Sequence, residues 1–208
     1  KSLQLTDQTT IPRAADEIRE TIIAQSMELV AHYGYTKTII GDIANSCGMS
    51  PGNLYRYFRN NQSIGLFVVA EHFREEEGMV HCAQQLDGDA EARVRAVITS
   101  CVMHTVGKLR ESPKIVELAE MICETEEGIA MVGEHISRCH ERLATIVQDG
   151  IDSGEFKVKD AAVAARAVQM GTKFFVVPFA IARHGLDQVE EDLKITLDLL
   201  CAGLRGGD

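Results

Sequence analysis

Apolar positions along this chain recur at intervals of three and four, the period of a helix, and they come in blocks. Residues 1–12 (KSLQLTDQTTIP) show no such face and end at Pro12, which reads as a flexible arm. From Arg13 onward Ile18, Ile22, Leu29 and Val30, with Met27 less regularly placed, form one helical stripe, and Gly34 supplies a left-handed stop. A second helix is expected after Thr38, whose hydroxyl would cap its first turn, running through Ile39, Ile40, Ile43 and Ala44 to Gly48. Ser50 caps a third, with Pro51 at the first helical position, where a missing N–H costs nothing. That helix carries Leu54, Tyr55, Tyr57 and Phe58 and runs out in Arg59, Asn60 and Asn61.

Longer blocks follow. Helices are expected at 63–86, 90–110, 113–125, 128–153, 160–183 and 187–204, with breaks at Gly88-Asp89, Ser112-Pro113, Gly128, Ser153-Gly154 and His184-Gly185. The segment 161–182 is apolar almost all round and must be buried on more than one side. The last helix carries Val189, Leu193, Leu197, Leu200 and Leu204 on one stripe, with acidic residues opposite. The fold class is therefore all-α. The domains expected are an arm at 1–12, a three-helix domain at 13–61 and a larger helical domain at 62–208.

The stretch IGDIANSCGMSPGNLYRYFRNN at 40–61 breaks one short helix and restarts another at once, which is a helix-turn-helix. With Ile40 as the first of twenty positions, apolar residues fall at the fourth (Ile43), eighth (Cys47), tenth (Met49), fifteenth (Leu54) and eighteenth (Tyr57). Ala44 is fifth, where the helices cross and a small side chain is needed. Gly48 is ninth, where the turn requires positive φ.

Charge first argues against this reading and then permits it. The net charge is −10, unfavourable for a nucleic-acid partner. Residues 1–75, however, carry seven Lys and Arg against eight Asp and Glu, while 76–208 carry fourteen against twenty-three. The acidity belongs to the second domain. No apolar run approaches the roughly 18 residues of a membrane span, so no membrane partner is expected. The six cysteines are scattered among apolar neighbours and read as reduced thiols, which points to the cytoplasm.

Over residues 17–75 the sequence resembles the TetR (tetracycline repressor-like) regulators: an opening helix ending in YGY, then Thr38, DIA at 42–44 and CGMSPGNLYRYF at 47–58. The resemblance implies a homodimeric transcription factor, a repressor released from a palindromic double-stranded DNA operator by a small-molecule effector. It also implies dimerisation through the helices near 160–183 and 187–204, and a helix at 63–86 that transmits ligand state to the DNA heads.

A recognition helix points its N-terminal side chains at base edges, here Ser50, Pro51, Gly52 and Asn53. Asn53 suits adenine, Pro51 a thymine methyl, and Gly52 a close backbone approach. The family resemblance gives Tyr55 a phosphate contact. Lys37, Thr38 and Arg59 are candidate phosphate contacts, which fix register on the backbone, and Arg56 completes the DNA-binding set. Two departures each remove a phosphate contact: Asn61 stands where the family has Lys, and Ile39 where it has Ser or Thr.

Met103, His104, Met121, Cys123, His135, Phe174 and Phe175 are the candidate effector-binding residues, suited to an apolar or aromatic ligand. His135 and Cys139 share a helical face, but no tight CxxC or HxxxH pair exists, so neither a metal nor a cofactor is expected. Ser100, Cys101 and His104 lie within one helix with no oxyanion donor and no orienting third group, so no enzyme is expected. The competing reading is a DNA-binding or protein-interaction module of the same fold without small-molecule control.

Overall fold

The computed structural model describes residues 10–206, which form helices and turns with no strand among them. In chain order they are α1 (Thr10–Tyr33), α2 (Ile40–Ser46), α3 (Pro51–Leu54), α4 (Asn61–Gln84), α5 (Ala90–Glu111), α6 (Ile115–Glu124), α7 (Glu126–Asp152), α8 (Ala161–Thr172), α9 (Pro178–His184) and α10 (Val189–Arg205). A 3-10 turn, Lys173–Val176, separates α8 from α9. The chain divides into two compact units, Lys1–Val68 and Val69–Asp208, the division falling within α4. Residues 1–9 of the expected arm lie outside the described residues. From Thr10 the chain is helical, ahead of the expected start at Arg13. Pro12 permits this because first-turn amides have no helical partner to lose.

In the first unit Ile22, Ile43, Ala44, Leu54, Phe58 and Ile64 form one core, with Cys47, Met49 and Tyr57 packed at its margin. The Gly34 N–H donates to the Val30 carbonyl at 2.9 Å, and Gly34 ends α1 at φ 90°. Thr38 does not cap α2. Ile39 holds the cap position in extended geometry, one residue later than expected, and the Thr38 hydroxyl donates backward to the Gly34 carbonyl at 2.8 Å.

The second unit has its own core, with Val94, Val102 and Val106 of α5, Ile146 and Val147 of α7, Ala165 and Val168 of α8, and Leu193, Leu197 and Cys201 of α10 among its members. Two expected boundaries move. The break placed at Gly128 lies at Thr125, whose Oγ1 accepts the Gly128 N–H at 3.1 Å. Gly128 is thus inside the first turn of α7, and a Cβ there would stand 2.3 Å from the Ile122 carbonyl oxygen. The single helix expected at 160–183 is two helices, because Pro178 lacks an N–H and holds Val177 extended at φ −100°, ψ 108°.

Candidate nucleic-acid interface and effector-unit cluster

The turn between α2 and α3 is built as the spacing requires. Gly48 adopts φ 65°, and the Met49 N–H closes the turn on the Ala44 carbonyl at 2.9 Å. Ala44 is fully buried. The Ser50 side chain accepts the Asn53 N–H at 3.2 Å, and Pro51 opens α3. Only four residues are α-helical, but the Tyr55 and Phe58 amides continue the bonding to Pro51 and Leu54, both at 3.1 Å.

This anchoring leaves one face to solvent. Leu54 and Phe58 point into the core, while Ser50, Pro51, Gly52, Arg56 and Arg59 are exposed and Asn53 is half-buried. Tyr55 is 54% exposed, an unusual setting for an aromatic ring. Lys37 is exposed as well. Thr38, by contrast, is 3% exposed with its hydroxyl already committed, so its side chain cannot reach a phosphate. Asn61 compensates locally for the missing lysine: its Nδ2 donates to the Thr38 carbonyl and ties the start of α4 to the loop before α2.

In the second unit, charge is buried where α4, α5 and α7 meet. Glu76 of α4 is 6% exposed. Its carboxylate faces His135 Nε2 of α7 at 3.0 Å, His72 Nε2 at 3.3 Å and the Thr105 hydroxyl of α5 at 3.3 Å. Burial pushes the Glu76 carboxyl up, but hydrogen bonds and charge from His135 and His72 outweigh it and bring it down to about 2. Burial likewise pushes His135 down, while hydrogen bonds and charge from Cys139 and Glu76 carry it up to about 10. The ion-paired state therefore dominates near neutrality. The His135 ring stacks on Phe73 at 4.0 Å, and its Nδ1 lies 3.3 Å from Glu77 Oε1. Beside it, the rings of His104 and His72 stack at 4.8 Å. Burial, followed by electrostatic repulsion from His72 and Lys108, lowers the pKa of His104.

Residues 90–195 match the family model described as "Tetracyclin repressor-like, C-terminal domain", and residues 22–64 match "Bacterial regulatory proteins, tetR family". The chain belongs to the TetR family. It is accordingly a ligand-responsive, DNA-binding transcriptional regulator, with an N-terminal helix-turn-helix and an effector-binding helical domain. No curated protein sequence is significantly similar to it. Among solved structures, a transcriptional regulator from Cytophaga hutchinsonii is 18% identical with a TM-score of 0.74, covering 89% of this chain and 97% of that one. PfmR, a TetR-family regulator from Thermus thermophilus, is 22% identical with a TM-score of 0.63, covering 90% and 98%. FadR from Bacillus subtilis, solved with stearoyl-CoA, is 19% identical with a TM-score of 0.67, covering 88% and 98%. At these identities the likeness is one of fold.

Of the effector residues named from sequence, this TetR-family chain brings His104 and His135 to the same stretch of α4. Met103 and Met121 are half-buried, and Cys123 is exposed on α6. Phe174 and Phe175 form a separate edge-to-face pair at 5.4 Å, with His184 against Phe174 at 5.2 Å. Sequence reasoning missed His72, Glu75, Glu76 and Glu77. Their signal was the run EHFREEE at 71–77, an interruption in an otherwise apolar helix.

Proposed function

We propose that the chain works as a homodimeric repressor whose residues 50–56 enter the major groove and whose effector acts at the helical unit beyond residue 69. The observation that carries this is the exposed set Ser50, Pro51, Gly52, Tyr55 and Arg56, with Asn53 half-buried among them, held on a buried Leu54–Phe58 anchor. Asn53 and Pro51 read base edges, while Tyr55, Arg56, Arg59 and Lys37 hold phosphates. Thr38 acts as an internal brace instead.

Dimerisation is supported by apolar side chains that none of the described residues covers. Val163 and Met170 are exposed on α8, and Ile195 and Leu199 on α10, at 62% and 76%. The α10 face opposite its buried stripe is thus mixed rather than simply acidic. Each such side chain returns about 1.5–3 kcal/mol when fully buried, so two facing copies would gain substantially. Two heads on a palindrome then stand about one helical turn, roughly 34 Å, apart.

The effector proposed is apolar or aromatic. Because FadR from Bacillus subtilis is solved with stearoyl-CoA, acyl thioesters belong beside aromatic compounds in the first panel. Operator selection from random duplex DNA, followed by footprinting, tests the reading. A palindrome with half-sites one turn apart, weakened by Asn53→Ala or Tyr55→Phe and released by a panel member, is the expected result. No enrichment even at low salt would overturn it.

A further inference from the structure

We propose that His72, Glu75 and His104 bind a divalent transition-metal cation of the zinc class. One donor atom of each lies within 4.8 Å of the others. His72 and Glu75 are three residues apart on α4 and so share a face, to which α5 brings His104.

The hydrogen bonding around them leaves the donors a ligand needs. Glu76 Oε1 lies 3.3 Å from His72 Nε2 and accepts its N–H, which in the neutral imidazole places the lone pair on Nδ1. His72 Nδ1 is buried and has no hydrogen-bond partner. His104 Nε2 is buried too, and although Glu75 Oε2 lies 3.1 Å away, the angle makes no hydrogen bond. Two donors on one tetrahedral zinc ion, each at about 2.0–2.1 Å, stand roughly 3.3 Å apart. The His104–Glu75 separation suits two ligands of one ion, while the His72 ring, stacked on His104 at 4.8 Å, has to turn to bring its lone pair to the same point. Behind them Glu76, fixed by His135 and Thr105, orients His72 in the way a carboxylate orients a metal-bound imidazole.

Two imidazoles and one carboxylate suit Zn²⁺, Co²⁺ or Ni²⁺ rather than Mg²⁺ or Ca²⁺, which prefer oxygen alone. Three protein ligands leave a fourth position for water or an anionic group. Lys108 Nζ, 3.1 Å from Glu75 Oε2, takes the cation's place on that carboxylate and competes with it. The site does not depend on the regulatory reading.

The test uses the full chain stripped with chelator, titrated with zinc chloride by calorimetry and with cobalt chloride by absorption. The expected result is one ion per chain and visible cobalt bands without a thiolate charge-transfer band. His104→Gln and His72→Gln should each weaken binding by about 100-fold or more, Glu76→Gln by about 10–100-fold, and exposed His184→Ala not at all. Lys108→Met should tighten binding, which loss of fold cannot mimic. Absence of zinc binding, equal affinity in His104→Gln, unchanged affinity in Lys108→Met, or a thiolate band would each overturn the assignment.

Discussion

Glu76→Gln is the sharpest probe of the buried network in the effector unit. Glutamine keeps the shape and one acceptor oxygen but removes the charge that pairs with His135 at 3.0 Å and that His72 and the Thr105 hydroxyl also face. At 6% exposure no water can substitute, so the protonated imidazole loses its buried counter-charge and keeps only the more exposed Glu77, 3.3 Å from its Nδ1. Breaking one side of such a pair costs about 3–5 kcal/mol. For a chain of this size that lowers the melting temperature by roughly 6–20 °C. The assay is urea denaturation of chelator-treated protein, run as a cycle with His135→Gln and the double variant. Once Glu76 is gone there is no pair left to break, so the double variant should fall short of the sum of the singles by about 2 kcal/mol. Additive singles, or a Glu76→Gln cost under about 1 kcal/mol, would refute the idea that this charge is buried and coupled.

The same network carries a pH signature. His135 is raised to about 10 against an unfolded value near 6.5, so the stability it contributes is full below about pH 6.5 and is lost as pH rises toward 10. Denaturation of chelator-treated protein across that range, beside His135→Gln, should show the decline in the parent alone. Leu199→Glu should convert a dimer to monomers by light scattering while leaving monomer stability within about 0.5 kcal/mol, because the residue is 76% exposed in one chain. Gly150→Ala should destabilise by about 1–3 kcal/mol in spite of alanine's helix preference, since its Cβ would stand 2.3 Å from the Phe156 ring and 2.8 Å from the Ala90 Cβ. Thermal unfolding checks this, and a stabilised variant would count against it.

What the sequence made legible follows from how local each feature is. The helix-turn-helix is fixed by neighbours within twenty positions: Gly48 for positive φ, Ala44 for the crossing, Ser50 and Pro51 for the restart. All four behave as the spacing requires. Thr38 is ambiguous in sequence because Ser or Thr before a helix suggests a cap, whereas one residue of offset lets its hydroxyl reach back to Gly34 instead. The break at Pro178 is hard to see in sequence because an apolar background hides the single residue that ends helical bonding there. The buried carboxylate was least legible. In EHFREEE a charged run reads as a solvated face, and only the packing of His104, Thr105 and His135 against it reveals that Glu76 is interior. Of the two histidines chosen from sequence, each proved to be half of a contact whose other half lay in that run.

Asn61 alters how the reading head is held. A lysine there would spend its flexibility reaching outward for a phosphate and would contribute little to the head when DNA is absent. The amide spends itself inward on the Thr38 carbonyl, pinning the entrance of α4 to the loop that launches α2. The bond is between neutral groups, so dissolved ions screen it far less than they would a lysine–phosphate contact. The position exchanges grip for preorganisation: the protein meets its operator with less pull, but with a scaffold already set before contact and nearly indifferent to ionic strength.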